Sequence, residues 1–260
     1  SFGLGGGSRF PSSTALVFTL AVGFLLPFTP PLGKGVLWKS LLGFDAFSLL
    51  KQRDHCVFFI VTALFSIPLA AFYMYAPEHF RVLGSPHPTS VMTIAQISEI
   101  VAMFFVGIMM TRCRIKTVLL WALGLSVVRY GMSAWAGHTG QEIWHISGVA
   151  LHGVCYTFYF ITAQVFLDRR VDPGLRGQAQ GLLAFVTGGL GPFAGAWICG
   201  WARKTFVHEG GGWTEFWGVL ALMILVCFVI FAIFYKGIGT VKTEAGSSEL
   251  AGEPDGGDHR

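Results

Sequence analysis

The sequence predicts an all-α polytopic membrane protein, and three observations carry that prediction. Hydrophobic residues make up 53% of the 260 and charged residues only 12%, about half the charged share of a soluble domain. The apolar residues gather into stretches of about 20, the length at which an α-helix crosses a hydrocarbon core about 30 Å thick. Lys and Arg alternate between rich and poor in the connections between those stretches. In lipid the backbone has no water to bond, so each stretch satisfies itself as a helix, giving about seven spans.

Thr14 to Leu32 is the first stretch, and Pro27, Pro30 and Pro31 predict that its helix stops near the first of them. Ser1 to Gly7 is glycine-rich with no basic segment ahead of an apolar core, so it does not read as a signal peptide. Residues 1–33 read as the last helix of a preceding half, in a partial chain that begins inside a longer protein. Residues 34–55, with Lys34, Lys39, Lys51 and Arg53, form an amphipathic central linker.

Residues 56–238 hold the remaining six spans. Cys56 to Pro77 is the second span, interrupted by Pro68, and Glu78 to Ser90 is a proline-bearing loop. Val91 to Met110 is the third, followed at once by Arg112, Arg114 and Lys116. Ile115 to Ala136 is the fourth and Ile143 to Leu167 the fifth, joined by Gly137 to Glu142 without a Lys or Arg. A charged turn of Asp168, Arg169, Arg170, Asp172 and Arg176 is broken by Pro173 and Gly174. Gln178 to Trp201 is the sixth span and Trp213 to Tyr235 the seventh. Residues 239–260, rich in Gly, Ser, Glu and Asp, predict a disordered tail.

Orientation follows from the connections. Lys and Arg number four in the first linker, then one, three, none, three and two in the loops that follow. Positive charge collects on the cytoplasmic side, which places the first linker, the Arg112–Lys116 loop, the Asp168–Arg176 turn and the C-terminal tail inside the cell.

The net charge of +4 is a small excess that such loops carry without nucleic acid to bind. Cys56, Cys113, Cys155, Cys199 and Cys227 stand singly, with no CxxC or Cys/His ligand spacing, so neither a disulfide nor a metal site is expected. The chain has no GxxxxGK[ST], no GxGxxG after a strand and no HExxH. Nucleotide hydrolysis, dinucleotide chemistry and zinc hydrolysis therefore have no motif. No catalytic residue and no cofactor is predicted.

Chemistry concentrates where polar residues sit in oil. Gln96 and Glu99 interrupt the third span, three residues apart and therefore on one helix face. A carboxylate at that depth costs about 2.5–3.5 kcal/mol and is kept where it faces a bundle interior, a cavity or a partner. Arg129, inside the fourth span, is the second such charge, and Glu99 on the preceding helix is its predicted partner. A separable pair would couple a proton to movement, and a permanent one would be a structural clamp. On the fifth span His145, His152, Tyr156 and Tyr159 recur at helical spacing, with Thr157 and Gln164 beside them. The stripe suits a ligand with a planar ring and hydroxyls, or else marks bundle contacts. Gly177, Gly181, Ala184, Gly188, Gly191 and Gly195 form a seam of small residues along the sixth span, as closely packed or sliding helices require.

With these residues in place the chain resembles the C-terminal half of a major facilitator superfamily transporter, and within it the nucleoside:proton symporter family. The matching strings are Gln96-Ile-Ser-Glu99, Val128-Arg129-Tyr130-Gly131, and His152-Gly153 with Tyr156-x-Phe158. Further matches are Arg176-x-x-Ala179-Gln180-Gly181 and Gly200-Trp201. Gly107-x-x-x-Thr111-Arg112-x-Arg114 is similar to the superfamily's cytoplasmic loop motif, with Thr where Asp is usual. The resemblance implies twelve helices in two halves, alternating access and a midplane site between the halves. It gives Gln96 and Glu99 contact with the nucleoside, Tyr156 a stacking role, and His152 the place of a cavity-facing Tyr. Thr157 stands where the family has an Asp, and Ala70 and Tyr73 where polar amides are usual.

The resulting expectation is a proton-coupled nucleoside symporter of the inner membrane. Gln96, Glu99, His152, Tyr156 and Thr157 would bind substrate, and Glu99 and Arg129 would couple the proton. Its partners would be a small-molecule substrate, protons, the bilayer and the other half of the protein. A sugar or polyol symporter and a non-transporting membrane sensor are the alternatives.

Overall fold

The computed structural model describes residues 43–209 and 211–237, together with Val17 and Val22. The first predicted span, most of the linker and the tail beyond Gly237 lie outside the described residues. The chain divides into two units, Ser1–Leu37 and Trp38–Arg260, and the second holds every element below.

A 3₁₀ helix, Phe44–Lys51, leads into α1 (Arg53–Val82). A single turn, α2 (Pro88–Val91), precedes α3 (Thr93–Arg112), followed by α4 (Ile115–Thr139) and α5 (Glu142–Arg170). The next span is broken into α6 (Arg176–Ala184), a π-helical turn (Phe185–Leu190) and α7 (Gly191–Phe206). The last helix is α8 (Trp213–Phe234). Six helical segments among the described residues are long and apolar enough to cross a membrane. Together with the family reported below, they make this a multi-pass membrane protein.

Two proline effects differ from the sequence reading. Pro68 and Pro77 lie inside α1, which runs on through Glu78 to Val82 instead of being interrupted and then stopping. Proline removes one ladder bond, but in lipid the remaining backbone groups still have no other partner and neighbours re-satisfy the freed ones. The carbonyls that lose their ladder donors are those of Leu64 and Tyr73, while the Tyr130 hydroxyl separately ties α4 to α1 by donating to the Pro68 carbonyl at 2.5 Å. Pro192 acts in the opposite sense. Having no N–H for the Gly188 carbonyl, it lies just after the π turn, where the Gly191 amide bonds Val186 five residues back.

Helix α5 is the packing centre, with α3 on one side and α4 on the other, while α3 and α4 barely touch. Helix α8 packs on α4 and α1, and α1 on α7. The small seam splits between two environments. A Cβ on Gly195 would meet the Ala70 Cβ at 2.6 Å and the Ile67 carbonyl at 2.9 Å, so here backbones touch. Gly177, Gly181 and Gly188 meet nothing within 4 Å. The core is aromatic: Phe58, Phe80, Phe166, Phe216, Phe231 and Trp217 are fully buried. Phe104 and Trp197, at 75% and 81% exposure, show that α3 and α7 present apolar faces outward, as helices hydrophobic all round do in lipid.

Candidate functional site

Gln96 and Glu99 lie on α3, Gln96 exposed and Glu99 half-buried. Their helix is fixed to α5 by three close contacts. The Gly153 amide donates to Ser98 Oγ at 3.2 Å, and the Thr157 hydroxyl donates to the Glu99 carbonyl at 3.4 Å. Gly153 itself has no room for a side chain: a Cβ there would strike the Glu99 amide nitrogen and Ser98 Oγ. The fifth-span glycine thus sets the depth at which Glu99 sits. Thr157 is fully buried and spends its hydroxyl on that backbone contact.

Arg129 does not reach Glu99. Its Nη1 donates to Nδ1 of His152 at 2.6 Å and its Nη2 to the Tyr130 hydroxyl at 2.7 Å. The guanidinium lies over the Phe72 ring, 4.7 Å from the centroid, and over Tyr130 at 4.2 Å, which offsets part of the cost of burying it. The ion pairs among the described residues are Arg176–Asp168 and Arg203–Glu78. The predicted Glu99–Arg129 pair is absent because α5 stands between their helices, and Arg129 bonds His152 of α5 instead. Nothing among the described residues hydrogen-bonds the Glu99 carboxylate.

Hydrogen-bond logic fixes the tautomer of His152. Arginine only donates, so Nδ1 accepts and the ring proton sits on Nε2. Nε2 then donates to the Tyr73 hydroxyl oxygen at 3.2 Å, which leaves the Tyr73 proton free for another acceptor. The His152 ring stacks on Phe72 at 4.1 Å and on Tyr156 at 5.8 Å. Tyr73 is 54% exposed, and Tyr73, Tyr156 and Glu99 lie within electrostatic range of one another. The result is a polar-aromatic face built by α1, α3 and α5 and backed by Arg129.

The fifth-span stripe divides. His145 is buried, its Nδ1 against Ser133 Oγ at 3.0 Å and its Nε2 on the Ala76 carbonyl at 3.4 Å. Tyr159 is equally buried, with its hydroxyl 2.9 Å from Thr62 Oγ1. Both are contacts between helices; His152 is buried as well, beneath the Tyr73 hydroxyl, and Tyr156 is the one partly exposed member of the four. Gln164 is exposed, with its backbone carbonyl accepting from Gln180 Nε2 at 2.8 Å. Sequence reasoning gave Tyr73 and Tyr130 no role. Their signal was a hydroxyl inside an apolar span, the same signal that singled out Tyr156.

No group of three His, Cys, Asp or Glu among the described residues is arranged to hold a metal ion.

The protein named Putative nucleoside transporter YegT of Escherichia coli (strain K12) is 33% identical over 234 residues, 86% of this chain and 55% of that one. Nucleoside permease NupG of the same organism is 25% identical over 215 residues, 77% of this chain and 51% of that one. Xanthosine permease of the same organism is 27% identical over 209 residues, 76% of this chain and 50% of that one. The chain spans about half the length of the curated relatives it matches. The fold matches crystal structures of nucleoside transporter NupG at 25% identity, 86% of this chain and 58% of that one, with TM-scores of 0.75 for a mutant form and 0.71 for the other. The architecture is therefore that of a major facilitator-like transporter. Residues 11–239 match the family described as Nucleoside H+ symporter, and the chain belongs to that family.

Proposed function

We propose that the whole protein is a proton-coupled nucleoside importer of the inner membrane, working by alternating access, with its C-terminus cytoplasmic. The relatives are named for nucleosides and xanthosine. The observation that carries the reading is the Glu99 carboxylate, deep in a span and without a bonding partner among the described residues, beside an exposed phenol and an aromatic wall.

Glu99 is the proton site. Charged, it opposes movement of the face into a closed, dry state, because an intramembrane carboxylate costs about 2.5–3.5 kcal/mol. Protonation removes that cost and turns one of its oxygens into a donor. With Gln96 it then offers both donors and acceptors to ribose hydroxyls or a base edge. Tyr156 supplies a ring for stacking, and the free Tyr73 proton a further donor. Arg129 orients His152, which orients Tyr73. Thr157 holds α3 against α5.

The test is uptake of radiolabelled uridine and adenosine by cells expressing the full-length protein, with and without a protonophore. Accumulation is expected to collapse when the gradient is removed. Glu99→Gln is expected to abolish accumulation against a gradient while leaving the protein in the membrane. Unchanged uptake and unchanged protonophore sensitivity in Glu99→Gln would sink the proposal.

A further inference from the structure

At the opposite end of the bundle from the α1–α2 connection, the start of α1 meets the ends of α5 and α8 around a cavity of about 250 Å³. Arg53, Arg170 and Lys236 ring it, with Asp54, His55 and Phe166 inside. His55 is the informative residue. It is 3% exposed, and among the described residues neither ring nitrogen has a hydrogen-bond partner. Its ring lies 5.5 Å from that of Phe166. Asp54 is half-used: Oδ1 accepts the Lys236 amide at 3.1 Å, while Oδ2 is buried without a donor among the described residues. Arg170 donates to the Gly237 carbonyl at 3.2 Å, which ties the end of α8 to the cavity wall.

Buried polar groups are normally satisfied, and a cluster of orphans calls for a missing partner. That partner must accept from His55 and the surrounding cations and must also donate to Asp54 Oδ2. A simple anion does the first and not the second. A phosphate with an N–H group a few atoms away does both, phosphate to the cations and ammonium to the carboxylate. Depth argues for the source. Helix α1 is 30 residues long, about 45 Å at 1.5 Å per residue, and so outreaches a hydrocarbon core of about 30 Å. Its first turn therefore lies among lipid phosphates.

We propose that this cavity binds the phosphoethanolamine head group of a membrane phospholipid. The lipid phosphate sits between His55, Arg53, Arg170 and Lys236, and its ammonium on Asp54. Occupancy clasps α1, α5 and α8 together at one membrane face. A choline head group carries the same phosphate but no N–H donor, so it leaves Asp54 Oδ2 unsatisfied and binds more weakly.

Native mass spectrometry of the purified full-length protein, titrated with short-chain phosphatidylethanolamine, phosphatidylcholine and free O-phosphoethanolamine, tests this. The ethanolamine lipid is expected to bind about tenfold more tightly than the choline lipid, the ratio that 1.4 kcal/mol produces. Asp54→Asn is expected to erase that preference, and His55→Phe to weaken both lipids. Lys236→Gln, at an exposed position that leaves folding untouched, is expected to weaken both as well, and it carries the test if His55→Phe fails to fold. Equal binding of the two lipids, or unchanged binding in these variants, overturns the proposal. Saturation by free O-phosphoethanolamine without lipid binding overturns the lipid assignment in favour of a soluble ligand.

Discussion

The Arg129 guanidinium donates to Nδ1 of His152 at 2.6 Å, and this contact places a fixed cation behind the candidate site, where the Glu99 carboxylate has no bonding partner among the described residues. A charge held by a neutral ring and two aromatic faces serves to position its neighbours. The contact also commits His152 to donate from Nε2, and through it leaves the Tyr73 hydroxyl proton free to point elsewhere.

Arg129→Lys keeps the charge but cannot span both partners, because a single ammonium replaces a planar fork. His152 Nδ1 or the Tyr130 hydroxyl is then left buried without its bond. The expected cost is about 1–3 kcal/mol of stability, read as a lower thermal midpoint of the purified protein, with a loss of nucleoside uptake. A variant with wild-type midpoint and uptake would remove Arg129 from the positioning role.

Tyr73→Phe deletes the hydroxyl that accepts from the buried His152 Nε2 and disturbs no packing. Stability is expected to fall by about 1–3 kcal/mol. The KM for nucleoside should rise by about three- to tenfold, the equivalent of one hydrogen bond of about 0.5–1.5 kcal/mol. An unchanged KM would mean that the Tyr73 hydroxyl does not meet substrate.

Gly153→Ala forces a methyl group against the Glu99 amide nitrogen, Ser98 Oγ and the Ala95 carbonyl. Helix α3 must back away from α5, at an expected cost of about 1–3 kcal/mol or more. Gly181→Ala in α6, where nothing lies within 4 Å, is the control and should be stable. Equal thermal midpoints for the two variants would contradict the close approach.

Trp217 donates its indole N–H to Nδ1 of His79 at 3.0 Å, and His79 Nε2 is buried without a partner. Trp217→Phe strips the His79 ring of its remaining bond in a site where it stacks on Trp213 and meets His145 edge-on. The expected loss is about 1–3 kcal/mol, larger than for Trp135→Phe at a half-exposed position. Thermal unfolding of both variants in one detergent gives the comparison.

Much of the architecture is legible in the chain, because hydrophobic length is a one-dimensional property. The six described spans fall where the apolar stretches do, and Glu99 stands out because a carboxylate among Ile, Val and Met has no cheap explanation. The same logic found Arg129 and His152 but paired Arg129 with the wrong residue. Pairing by cost assumes that adjacent helices in sequence are adjacent in space, and α3 and α4 are separated by α5. Periodicity likewise put His145, His152, Tyr156 and Tyr159 on one face, as they are. It could not tell that Ser133, Ala76 and Thr62 cover the two ends of that face.

The sequence alone determined that the chain crosses a membrane repeatedly, where most spans begin and end, and which polar side chains lie in oil, since each depends on composition and local spacing. Only the tertiary structure decided which of those side chains bond one another: Arg129 with His152, His152 with Tyr73, Tyr159 with Thr62, and Glu99 with none of the described residues. It also decided that α1 runs on through two prolines and that the hydroxyl of Tyr130, on another helix, reaches the Pro68 carbonyl. Hydrophobicity acts along the chain and can be read from it, whereas a hydrogen bond between helices exists only once packing has brought its two ends within 3 Å or so.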